Sequence, residues 1–112
     1  EKVVFKKEDV FIKQDNELKH MIKWVIPNAQ KNTMEPILIH LEPGGSSEEH
    51  VPHEGEEFGY VLSGNIYLCL GTRNYKVKKG ESFYFKPSIN HYITNAGKSS
   101  SRILWISTPP SF

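Results

Sequence analysis

The sequence has a single cysteine, Cys69, among 112 residues, so no disulfide can form within the chain. The expected setting is therefore a reducing compartment, the cytoplasm. No apolar run approaches the roughly 18 residues that a membrane-crossing helix needs, so no membrane partner is expected. An excess of one charge is also missing, since 14 basic and 13 acidic residues leave +1. That balance gives no electrostatic basis for nucleic acid or an anionic membrane as the main partner. No window carries a capped 3.6-residue apolar period, which excludes a helical bundle and the paired helices of a DNA-reading helix-turn-helix. An initiator methionine is absent as well. Glu1 stands first, and the expectation is a piece of a longer protein.

What the sequence does contain is a series of short apolar runs rich in β-branched and aromatic residues. They cover residues 3–5, 10–12, 21–26, 36–41, 58–62, 66–70, 83–85, 92–93 and 103–106. Turn signals separate them: Pro27-Asn28, Pro43-Gly44-Gly45, Ser63-Gly64-Asn65, Gly71-Thr72-Arg73-Asn74, Lys79-Gly80 and Ala96-Gly97-Lys98. The pattern predicts an all-β, antiparallel sandwich or barrel. Runs 58–62, 66–70 and 103–106 do not alternate cleanly, so both of their faces need cover. One face can line a barrel interior. The other requires a second sheet, a terminal segment such as the N-terminal strands, or a second copy of the chain, and a homodimer is the expected form of the last.

Chemistry concentrates in Glu48-Glu49-His50-Val51-Pro52-His53-Glu54-Gly55-Glu56-Glu57. Imidazole beside carboxylate suits zinc, iron, nickel or manganese, although a run of this kind also serves as a solvated acidic loop. Pro52 and Gly55 oppose a helix, so the segment reads as a loop feeding a strand that starts near Glu57. A metal site would need another ligand from elsewhere, and His91, after the loop 86–90, is the candidate. His20 and His40 lie in or beside strand patterns and read as structural or surface histidines. Cys69, in an apolar strand, reads as core.

The spacing resembles the cupin superfamily over residues 36–107. Its first signature segment is matched by His53, three residues, Glu57, six residues and Gly64. The usual first histidine position, five residues after Gly45, holds Val51, while His50 stands five residues after Gly44. The second segment is matched in order by Gly80, Pro87, His91 and Asn95, without the glycine that usually follows the proline. The resemblance implies a jelly-roll β-barrel, a single cupin domain over residues 1–112, and inward-pointing His53, Glu57 and His91 holding one divalent metal ion, with His50 as a fourth ligand if a bulge turns it inward. Strand alternation from these positions puts Gly59, Val61, Ile93 and Asn95 inward and, with Val51 inward, His50 outward. Val51, Val61, Ile93 and Asn95 are thus expected to line the pocket, with or without a metal. Residues 54–64 and 104–112 further resemble the C-terminal cupin of small bacterial regulators that carry an N-terminal helix-turn-helix of the xenobiotic-response-element type. That implies a sensing and dimerising module for a small-molecule effector, with DNA contacted only through a helix-turn-helix outside this chain. No catalytic residue is assigned. A metal-dependent cupin enzyme of dioxygenase or isomerase type is the alternative, and a purely structural dimerisation domain comes after it.

Overall fold

The computed structural model describes residues 1–112. Nine strands form: β1 (Phe11–Asp15), β2 (His20–Trp24), β3 (Glu35–Leu41), β4 (Glu56–Ser63), β5 (Asn65–Leu70), β6 (Arg73–Lys78), β7 (Ser82–Phe85), β8 (His91–Asn95) and β9 (Ser101–Thr108). The only helical pieces are two 3-10 turns, Lys7–Asp9 and Ala29–Lys31, and no helix is long and apolar enough to cross a membrane. Every pairing between strands is antiparallel. A six-stranded sheet runs β1-β2-β3-β9-β4-β7 and faces a smaller one ordered β6-β5-β8. Residues 45–50 extend the smaller layer beside β8, through Ser47 N to Ile93 O at 2.9 Å and reciprocal His50–His91 backbone bonds at 2.8 and 3.0 Å. This is an antiparallel jelly roll: the run spacing predicts the antiparallel all-β architecture, and the family resemblance implies the jelly roll.

Alternation sets what lies between the layers. Glu35, Ile37, Ile39 and Leu41 of β3 point inward, as do Ser101, Ile103, Trp105 and Ser107 of β9 and Glu57, Gly59 and Val61 of β4. Gly59 is required by packing. A Cβ there would lie 2.1 Å from the Phe83 ring, which is itself core. The expected inward positions Gly59, Val61 and Ile93 are all buried.

Three expectations are corrected. Residues 3–5 form no strand: they pair with no other segment, and Val3 and Val4 are 77% and 75% exposed. The turn at residues 71–74 is shorter than its composition suggests, since Leu70 already pairs with Arg73 across Gly71-Thr72. The N-terminal strands do not cover the outer face of β4 and β9. They hydrogen-bond alongside β3 and widen the same sheet. That outer face is left apolar and partly open, with Phe58 paired to Ile106 and Tyr84, and Tyr60 to Leu104.

Candidate metal centre

Two loops bring the ligand-type residues together. His53 sits just before β4, and its backbone N–H donates to Pro87 O at 2.9 Å, joining its loop to the one that precedes His91. Gly55 lets the first loop pass under the end of β9: its φ is +111°, and a Cβ would sit 1.7 Å from Thr108 O. Glu57 enters from β4 of the large sheet and His91 from β8 of the small one.

Possible ligand atoms of His53, Glu57 and His91 all lie within 4.8 Å of one another. His53 Nε2 is 2.8 Å from Glu57 Oε2. His91 Nε2 is 2.9 Å from the same oxygen but out of hydrogen-bond alignment, and it is buried with no partner. The other nitrogen of each ring is fixed by a backbone carbonyl, His53 Nδ1 donating to Glu54 O at 2.8 Å and His91 Nδ1 to Ile89 O at 3.0 Å. A carbonyl can only accept, so each Nδ1 carries the proton and each Nε2 is left to face Glu57. Orientation of a ligating imidazole through its second nitrogen is the arrangement metal sites use. Trp105 Nε1 donates to Glu57 Oε1 at 2.8 Å and fixes the carboxylate from behind.

Lone pairs of three converging atoms repel unless positive charge lies among them, whether protons or a metal cation. With protons alone, burial pulls the His91 imidazole down, but the Glu57 carboxylate and the Ile89 carbonyl outweigh it and hold His91 above its ordinary value. Burial pushes the Glu57 carboxyl up, and His91, His53 and Trp105 together bring it below the ordinary carboxylate range. Two imidazoles and a carboxylate also form a set that suits a divalent transition metal with positions left open. The residues present therefore fit the group.

The parity around residue 51 is reversed. His50 pairs with His91 across the small sheet, so its ring turns inward, 5.5 Å from His91 and 5.9 Å from Trp105 between centroids. Val51 then points out and is 70% exposed, so it lines no pocket. His50 stands beside the three-residue group without entering it; its Nδ1 is buried and unpartnered, and burial followed by the adjacent His91 holds its pKa below the ordinary value. Asn95 is likewise not a cavity residue. Its amide donates to Leu41 O and Ser99 O, and its Oδ1 accepts from Gly97 N and Ser101 Oγ, closing the turn between β8 and β9.

A family model described as a cupin domain matches residues 37–107. The chain belongs to this family. The cupin is 32% identical over 89 residues to the HTH-type transcriptional regulator PuuR of Escherichia coli (strain K12), a match that takes in 79% of this chain and 48% of that protein. It thus spans about half the length of that regulator. Its fold is that of the cupin domain of an XRE family transcriptional regulator from Enterobacter cloacae (TM-score 0.72, 20% identity, 82% of this chain and 98% of that one). It is equally that of a predicted oxalate decarboxylase from Thermotoga maritima (TM-score 0.79, 17% identity, 95% and 98%). The fold is thus common to regulators and to chains described as enzymes.

Next to the three-residue group the cupin has a cavity of about 200 Å³. Its walls include His20, Trp24, Ile39, His50, Trp105 and Phe112. Val61 and Ile93 face inward but are sealed in the apolar core and do not form this wall. His20 is buried, with Nδ1 donating to Ser46 O at 2.7 Å. Sequence reasoning missed Trp24, His20 and Phe112 as cavity residues, and it missed an inward acid, Glu35, which is fully buried. The β3 alternation was the available signal, since Glu35 shares the face of Ile37, Ile39 and Leu41.

Proposed function

We propose that this chain is one cupin domain, the ligand-sensing and dimerising part of a bacterial transcriptional regulator, acting in the cytoplasm. One observation carries the reading: His53, Glu57 and His91 converge on a shared centre, and a partly open cavity with both apolar and polar walls lies beyond it, across His50 and Trp105. That is a site for holding a small molecule. The likeness to PuuR supports regulation over catalysis, with DNA contacted by a helix-turn-helix elsewhere in the longer protein. His53, Glu57 and His91 would hold one zinc, nickel, iron or manganese ion, with His50 beside the set and its Nδ1 unpartnered. When bound, the ion would offer an open position to a donor atom of the effector. Around it, Trp105 orients Glu57, and the Glu54 and Ile89 carbonyls orient the imidazoles.

Thermal unfolding of the metal-stripped chain, titrated with each of the four metals, tests the site. At a hundredfold excess over Kd, binding adds about 2.7 kcal/mol, or about 10 °C in Tm. No shift with any of the four would overturn the metal reading.

A second copy is the fitting partner for the outer face of β4, β7 and β9, whose centre carries Phe58, Tyr60, Tyr84, Leu104 and Ile106, with Glu56 at its edge accepting the Tyr84 hydroxyl. A self-complementary apolar patch of this kind suits a twofold dimer. Sedimentation should give twice the chain mass, and Tyr60→Glu should return the monomer. A monomeric unsubstituted chain would remove the dimer.

A further inference from the structure

The tail that follows β9 turns back into the cavity. Ser107 Oγ donates to Pro109 O at 2.8 Å and shares a hydrogen bond with Ser111 Oγ at 2.7 Å, curling residues 109–112 against the barrel end. Phe112 then lies on Trp105, with ring centroids 4.9 Å apart, and 5.8 Å from His50. The buried acid Glu35 holds the tail there. Its Oε1 accepts the backbone N–H groups of Ser111 and Phe112 at 2.8 and 2.9 Å, while Oε2 accepts Trp24 Nε1 at 2.7 Å. All three neighbours donate, so Glu35 serves purely as an acceptor. Beneath the tail, Glu35 shares the inward face of β3 with Ile37, Ile39 and Leu41, an unusual place for a fully buried acid, because such a group is costly to leave without donors.

We propose that residues 109–112 fill the effector's place, and that the effector is a small molecule with an aromatic or apolar body next to paired N–H donors, of the amine or amidine class. The tail presents the same chemistry from within the chain: a phenyl ring on Trp105 and two adjacent N–H groups on Glu35. A ligand that displaces it must replace both, or Glu35 is left buried and unpartnered. Displacement reaches the metal centre through Trp105, which lies under Phe112 and donates to Glu57. It reaches the His53 loop through Thr108, which packs on Gly55. The tail is thus both competitor and reporter. This inference rests on the sensing reading above but does not require the metal.

Benzamidine is the probe, since it combines a phenyl ring with paired N–H donors. Binding is measured by calorimetry in the presence of a chelator, on the unsubstituted chain and on Phe112→Ala and Ser111→Pro. Removing the internal competitor should tighten binding by about tenfold or more, because apparent affinity scales with the open fraction. Glu35→Gln, placed in the Phe112→Ala background and checked for a cooperative unfolding transition, should lose about tenfold again. On the unsubstituted chain, saturating benzamidine should speed hydrogen exchange at the amides of Ser111 and Phe112. Equal affinity with and without the Phe112 ring would overturn the proposal. So would protected tail amides at saturation, or no binding to Phe112→Ala. Because chelator is present throughout, failure of the metal reading leaves these results standing. Tight benzamidine binding without metal uptake would sink only that reading.

Discussion

Glu57→Gln abolishes the metal-dependent rise in Tm. The substitution keeps the shape of the side chain and its acceptor for Trp105, but removes the negative charge that two imidazole nitrogens share at 2.8 and 2.9 Å. Outer-shell changes at metal sites already cost 10- to 100-fold, so loss of the charged ligand should cost about 100-fold or more in affinity. Thermal unfolding with and without metal reads this directly, and an unchanged shift in Glu57→Gln would place the metal elsewhere. The pH profile separates the two ways of supplying positive charge. In the metal-free chain, Glu57 is depressed and His91 raised. The Glu57 contribution is present above the unfolded carboxylate pKa and is lost as pH falls through the lower, folded one. The His91 contribution is present below the unfolded imidazole pKa and is lost as pH rises through the higher, folded one. The pair's own contribution therefore peaks between about pH 5 and 6.5 and declines above it. The lowered His50 acts in the opposite sense, so the decline is read as the difference between the unsubstituted chain and Glu57→Gln. With metal the trend reverses, because protons compete for the same nitrogens and occupancy falls below about pH 6. Both trends flatten in Glu57→Gln.

Trp105→Ala should be the most destabilising single change in the core, at about 3–5 kcal/mol, or about 15 °C in Tm. Trp105 is fully buried and touches Phe83, His50 and Phe112 from one ring system. It joins the aromatic core to the polar centre, so its removal leaves a void and also strands Glu57 Oε1. Trp105→Phe isolates the second effect: the ring is largely kept and only the N–H is lost, a cost of about 1–3 kcal/mol for an unsatisfied buried acceptor. Denaturant unfolding of the pair measures the difference. A Trp105→Phe chain as unstable as Trp105→Ala would mean that the hydrogen bond, not the packing, dominates there.

These outcomes depend on a site that is only partly legible along the chain. His53 and Glu57 are close in sequence, and one strand's alternation carries Glu57, Gly59 and Val61 to the same face, so local spacing suffices for them. His50 is different. Its direction is set by a pairing with His91, forty-one residues away, and no local count from Gly44 or Gly45 can phase that register. Glu35 was hidden for a related reason. Its charge at the start of an apolar run looks like a strand end, and two of its three donors arrive from Ser111 and Phe112 at the far end of the sequence. The outer apolar face was foreseen from continuous runs in β4 and β9. That the N-terminal strands widen the sheet instead of covering it follows from edge pairing, which composition does not encode.

The placement of Glu57 on one layer and His91 on the other has a mechanical consequence. In a chain whose lone cysteine rules out an internal disulfide, an ion held by both would act as a cross-link between the sheets. Separating the layers would then require rupturing coordination bonds, so the loaded form would resist unfolding kinetically, with a lifetime set by metal release.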